Sequence, residues 1–141
     1  MTSIEIGSDA KQWRELYPLF VGFVNPRPIA LVSSISGDGV HNLAPFSFYN
    51  MVSALPPVVV FAPANRRDGA TKDTLRNIRE TREFVIATVT EEIVRQAVDC
   101  AAEIAPEESE FEFSGLTPTP AMKVGPPLVR ESPMNIECAV R

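Results

Sequence analysis

Two groups of polar residues in this sequence carry atoms that could hold a small molecule. The first lies within residues 27–50, RPIALVSSISGDGVHNLAPFSFYN. Ser33, Ser34 and Ser36 sit on its first arm, and Asn42, Ser47 and Asn50 sit on or beside its second. Hydroxyls and amides that donate and accept, set among apolar neighbours, are what fixes a ligand's orientation in a small-molecule site. The same pattern also suits a solvent-facing stripe on an ordinary hairpin. The second group is Arg66, Arg67, Lys72 and Thr74, which bracket Asp68-Gly69 just ahead of an expected helix. Backbone N–H groups at a helix N-terminus attract anions, and Arg, Lys and hydroxyl side chains add charge-assisted hydrogen bonds. Both a phosphate site and a solvated basic turn fit this composition, and the glycine and lysine spacing of a P-loop is absent. Together the two groups suit a ligand with a flat polar head and a phosphate tail.

Other reactive residue types are sparse. His41 is the single histidine; it follows a turn with no orienting partner in sequence, which favours a surface loop histidine over a catalytic one. Cys100 and Cys138 read as small core residues. The acidic run Glu107, Glu108, Glu110, Glu112 reads as a solvated loop, and Trp13 and Tyr17 either pack the N-terminal segment or cover a planar ligand. No catalytic side chain and no metal ligand set stands out.

The elements that must position these groups are short. Ile29, Leu31, Val32 and Ile35, then Leu43, Phe46 and Phe48, give two strand patterns joined by Gly37-Asp38-Gly39, residues that tolerate the positive φ of a hairpin turn. A short helix around residues 10–15 is expected to lead into an extended segment punctuated by Pro18 and Pro26. The run Val58-Val59-Val60-Phe61-Ala62 predicts a strand buried on both faces. A helix is expected from near Asp73, with Leu75 and Ile78 on one face. Residues 83–89 predict a strand. Thr90 can cap a further helix striped by Ile93, Val94, Ala97, Val98 and Ala101, and residues 103–112 read as loop. Residues 133–140 alternate as a strand does. The sum is about five strands and two or three helices, an antiparallel barrel with helices outside it and short of closure.

Composition bounds the rest. The 141 residues suit a single domain, residues 1–141, with a real core. A net charge of −5 argues against general affinity for nucleic acid or anionic membrane, while local basic pockets remain compatible with it. Thirteen prolines argue against long helices. Two distant cysteines do not make a disulfide framework, which suits a reduced cytoplasmic setting. No apolar run is long enough to cross a bilayer, and the first ten residues lack the pattern of a secretory signal.

Several segments, in their order along the chain, resemble the flavin reductase-like family of FMN-binding split-barrel proteins, the group that includes flavoredoxin. They are NPRPIALVS at residues 25–33, NLAPFSFYN at residues 42–50, Pro56-Pro57 before a strand, and KDTLRNI at residues 72–78 before Glu83-Phe84-Val85. Gly115-Leu116-Thr117-Pro118 and Glu131-Ser132-Pro133 continue the set. The resemblance implies a mainly β fold with flanking helices, an FMN-binding split β-barrel, assembled as a homodimer with FMN near the subunit interface. It implies that Arg27, Ser33, Ser47, Phe48 and Asn50 line the flavin and its ribityl chain, with Asn42 in the same cofactor-binding set. Lys72 and Thr74, with Arg66 or Arg67, would then hold the phosphate. The activity implied is NAD(P)H-dependent flavin reduction, for which the cofactor supplies the redox chemistry. A monooxygenase or other redox protein would be the downstream partner. Two other readings stay open: a flavoredoxin-like FMN electron carrier without nicotinamide turnover, and a truncated, non-enzymatic interaction module. Family members generally continue past the strand that ends at Arg141, so the barrel is expected to lack its C-terminal strands and to leave edges unpaired.

Overall fold

The computed structural model describes residues 13–66 and 69–141. Among them run α1 (Trp13–Phe23), β1 (Ala30–Ile35), β2 (His41–Phe46), β3 (Tyr49–Ala54), β4 (Pro57–Phe61), α2 (Asp73–Thr81), β5 (Glu83–Thr88), α3 (Val94–Asp99), α4 (Glu110–Ser114), β6 (Pro118–Thr119), β7 (Leu128–Val129) and β8 (Asn135–Ala139). The expected mainly β architecture with flanking helices is what forms. β2, β1, β5 and β8 make one antiparallel sheet in that order, β3 pairs with β4, and β6 with β7. Among the described residues these sheets do not close into a barrel. No helix among them is long and apolar enough to cross a membrane.

The period of two in β1, β2 and β5 sends alternate side chains to opposite faces, and each face has its own core. On one, Leu31, Leu43 and Ala87 pack under Ile93 and Ala97 of the α3 region, Cys100, Phe111 and Leu116. On the other, Val32, Ala44, Phe46 and Ile86 meet Ile78 of α2, with Tyr49, Val59 and Phe61 partly buried against them. Each buried aliphatic or aromatic side chain contributes about 1.5–3 kcal/mol of transfer free energy. The turn between β1 and β2 closes through Ser36, whose N–H donates to Val40 O and whose Oγ accepts from Val40 N–H, both at 3.0 Å. Gly39 takes φ +84° there, a conformation that other residues adopt only at a cost.

Several expectations are corrected. The helix near the N-terminus spans Trp13–Phe23 with Pro18 inside it, where extended chain was expected; residues 10–12 lie outside the described residues. Leu16, Tyr17, Phe20 and Val24 recur at helical spacing toward Phe48, and that apolar stripe prevails over the proline. Strand β4 is half-exposed: Val59 and Phe61 pack against the core, while Val60 on the opposite face is 50% exposed. The helix expected from Thr90 starts later, at Val94, after a turn in which Ile93 N–H donates to Thr90 O at 3.3 Å. Among the described residues eight strands and four helices replace about five and two or three, the additions being β3, the two-residue β6 and β7, and α4, which begins in the segment read as loop.

Candidate functional site

Ser34 and Asn42 are register partners across β1 and β2, on the sheet face that α2 covers. Helix α2 lays Thr74, Asn77 and Ile78 against that face at i, i+3 and i+4, all buried. These polar side chains form one directed chain. Asn77 Nδ2 donates to Ser34 Oγ at 3.2 Å, and Ser34 Oγ donates to Asn42 Oδ1 at 3.1 Å. Thr74 Oγ1 donates to the same Asn42 oxygen at 2.7 Å. Asn42 Nδ2 then donates to both carboxylate oxygens of Glu110, at 2.9 and 2.8 Å, and Leu43 N–H donates to Glu110 Oε2 at 2.9 Å. The hairpin's Ser34 and Asn42 are therefore buried and face α2, not solvent.

Glu110 corrects the reading of the acidic run as a solvated loop. It opens α4 and is buried at the outer edge of β2, where its carboxylate and the Ser109 hydroxyl take a strand N–H and a strand carbonyl; Ser109 Oγ donates to His41 O at 2.6 Å. Burial pushes its carboxyl above the ordinary carboxylate value, and the donors from Leu43 and Asn42 oppose the rise. The one sequence signal was Phe111 beside it: a fully buried phenylalanine within an acidic run marks a packed element. His41, read as a loop residue, begins β2 with its ring 6.2 Å from that of Phe111. Cys100 and Cys138 are free thiols, and burial pushes each up to about 11, so neither is a ready nucleophile at neutral pH.

Beside this network lies a cavity of about 60 Å³ lined by Asn42, Ala44, Arg66, Lys72, Thr74 and Glu110, with Asp73 and the Cys100–Ile104 backbone turn around it. Asp73 pairs with Arg66 and, at 2.7 Å, with Arg76 Nη2. Among the described residues Lys72 is the lining cation without a carboxylate partner; its ammonium stands 5.6 Å from the centroid of the Phe46 ring. The donor set of an ammonium, a guanidinium, a buried hydroxyl and the first turn of α2 fits a phosphate in chemistry.

Arg27, Ser47 and Phe48 form a second cluster. Arg27 Nε donates to Ser47 Oγ at 3.3 Å, while its Nη1 donates to Val21 O and Val24 O at 2.7 and 2.6 Å, satisfying carbonyls at the end of α1. The guanidinium lies 6.0 Å from the Phe48 ring centroid, and Tyr17 meets that ring edge-on. Ser47 lines an apolar groove of about 290 Å³ with Ile29, Pro45, Val89, Val98 and Ala101. Groove and cavity share Ala101, and consecutive β2 residues face them: Ala44 the cavity, Pro45 the groove.

The structure thus brings Asn42, Arg66, Lys72 and Thr74 together and sets Ser47, with Arg27, in the groove next door. Phe48 turns toward α1. Ser33 is fully buried within the sheet, its hydroxyl without a hydrogen-bond partner among the described residues, and lines neither space. Asn50 is exposed and its Oδ1 accepts from Met51 N–H at 2.8 Å. Arg67 lies outside the described residues.

Against known proteins, residues 23–141 match the family described as flavin reductase like domain. The sequence is 45% identical over 123 residues to an uncharacterized protein of Aquifex aeolicus, across 87% of this chain and 63% of that protein. It is similar in structure to nitrilotriacetate monooxygenase component B from Bacillus cereus, with 35% identity and a TM-score of 0.88 over 99% of this chain and 68% of that one. It is also similar to 2-nitrobenzoate 2-nitroreductase of Pseudomonas fluorescens, with 35% identity and a TM-score of 0.83 over 98% of this chain and 64% of that one. The chain spans less than two thirds of the length of the Aquifex relative.

Proposed function

The chain belongs to the flavin reductase-like domain family, and on that premise we propose that it is an FMN-binding oxidoreductase reduced by NADH or NADPH. The observation that carries this reading is the junction at Ala101 between a cation-lined cavity and an apolar groove. An anionic tail and a flat, largely apolar head on one ligand suit that pair of spaces. Lys72 and Arg66 hold the phosphate, with the first-turn dipole of α2 adding to the attraction, and Thr74 joins them once its hydroxyl proton turns from Asn42 Oδ1 to the ligand. Ser47, oriented by Arg27, meets polar atoms of the head, while Ile29, Pro45 and Val98 exclude water from its faces. FMN held there would supply the hydride and electron chemistry between NADH or NADPH and an acceptor, while the chain's own residues bind and orient it.

Two features extend the reading to partners. The rims of the groove and of the neighbouring α1 surface expose Ile29, Val98, Phe20 and Phe23, apolar surface that a second copy of the chain would cover in a homodimer. The Bacillus cereus relative is named as a component of a monooxygenase; a monooxygenase that consumes reduced flavin is accordingly the proposed downstream partner.

The test is an FMN titration by fluorescence quenching with the unaltered chain and with Lys72→Ala, followed by NAD(P)H oxidation. Loss of a charge-assisted phosphate contact weakens binding by about tenfold or more. An unchanged affinity removes the cavity from the site. A rate of NAD(P)H oxidation no faster than with free flavin removes the nicotinamide activity and leaves the electron-carrier reading.

A further inference from the structure

The hydrogen-bond chain that ends on Glu110 has one direction. A carboxylate only accepts, so the Asn42 amide must turn its NH₂ toward Glu110 and its carbonyl toward Ser34 and Thr74. Thr74 consequently spends its single hydroxyl proton on Asn42 Oδ1, and its oxygen is left with acceptor capacity only. A phosphate dianion offers acceptors only, so it gains nothing from Thr74 until that proton is turned outward. The network can release it at limited cost, because Asn42 Oδ1 has a second donor in Ser34 Oγ.

We propose that Glu110 is a positioning residue that sets the phosphate preference of the cavity: through Asn42 it commits the Thr74 hydroxyl proton to the protein interior and holds down affinity for a phosphate ester. The proposal rests on the assignment of this cavity to the FMN phosphate. Its negative charge, on the lining of the same cavity, acts in the same direction. With Glu110→Gln, an amide stands opposite Asn42. It can accept from Leu43 N–H and donate to Asn42, whose amide then turns over and gives its NH₂ to Thr74. The Thr74 hydroxyl proton is thereby freed for the ligand.

The experiment measures the dissociation constants of FMN and of riboflavin, which lacks the phosphate, by fluorescence quenching at a pH where the phosphate is a dianion. The riboflavin-to-FMN ratio is the readout. Glu110→Gln is expected to raise it by about tenfold. Thr74→Val should abolish that rise in the Glu110→Gln background and change the ratio far less in the unaltered chain. Ser34→Ala should lower the ratio by about threefold or more, since Thr74 is then the sole donor to Asn42 Oδ1. A side chain with a merely structural role shifts both ligands alike, leaving the ratio fixed and the two substitutions additive, which overturns the proposal. If Glu110→Gln does not fold, Ser34→Ala decides alone: a lower ratio supports the proposal, an equal or higher one ends it. Lys72→Ala separates the two levels of argument. A ratio insensitive to Lys72 removes the phosphate site and this proposal with it; a ratio that falls with Lys72→Ala but ignores Glu110 removes the proposal alone.

Discussion

At the outer edge of β2 the chain buries a carboxylate, two amides and two hydroxyls and links them in one hydrogen-bond chain, in which Asn77 Oδ1 has no partner among the described residues. Between the β3–β4 hairpin, α2 and β8 it leaves a cleft of about 700 Å³ lined by Val52, Val59, Val60, Leu75, Ile136 and Val140. The first region is held by directional bonds inside a low-dielectric wall, where each group depends on its neighbour's orientation. The second is apolar surface whose side chains keep water on one side. A substitution in the first region propagates along the hydrogen-bond chain; one in the second alters little beyond itself.

The widest break in that comparison is expected from Glu110→Ala. It leaves the Asn42 NH₂ and the Leu43 N–H buried without their acceptor, at about 1–3 kcal/mol for each group, offset in part by removal of a desolvated charge. A net loss of about 3 kcal/mol is expected in urea unfolding. A loss below about 0.5 kcal/mol would mean that water reaches the network and that the β2 edge is not the dry region described.

What the sequence made legible follows the same division. The strands β1, β2 and β5 stand out because alternation and turn chemistry are local signals, and Lys72 and Thr74 stand out because a basic turn before a helix is one too. Glu110 does not, since its partner Asn42 is 68 residues away and Phe111 beside it marks a packed element without marking the carboxylate as a buried acceptor. Nor does the half-exposed state of β4: an unbroken run of valines looks the same whether a sheet is covered on both faces or on one. In α1, Pro18 outweighs the apolar stripe when the sequence is read alone, although the stripe prevails in the fold. Of the site itself, residue types were legible and grouping was not. Arg27 and Ser47 stand beside the apolar groove, Asn42 and Thr74 beside the cavity, and the join at Ala101 has no signature in sequence.

Acidity offers a smaller and more selective probe of the first region. Burial raises the Glu110 carboxyl above its ordinary value, so the folded chain binds this proton more tightly than the unfolded chain. Its contribution is therefore most favourable below the ordinary carboxylate value and is lost as pH rises through the raised one, then stays level. The difference in urea midpoint between the unaltered chain and Glu110→Gln, followed from acid to neutral pH, should move in favour of the variant across that window. A difference that is flat with pH would show that Leu43 and Asn42 offset the burial in full.

The smallest expected effect sharpens the comparison most, because one chemical change can be placed in both surroundings. Val→Thr keeps shape and β-branching and replaces a methyl by a hydroxyl. At Val32, fully buried in β1 with Ala44 and Ile86 as its register partners, the hydroxyl is set among apolar side chains and a stability loss of about 1–3 kcal/mol is expected. At Val60, half-exposed on β4 beside the cleft, the hydroxyl keeps its water and the change should fall within about 0.5 kcal/mol. Urea unfolding of the two variants side by side, with protein concentration varied, checks this. A loss at Val60 that matches the loss at Val32 and grows as the protein is concentrated would mean that β4 is covered by another copy, and the cleft would then belong with the buried regions of the molecule.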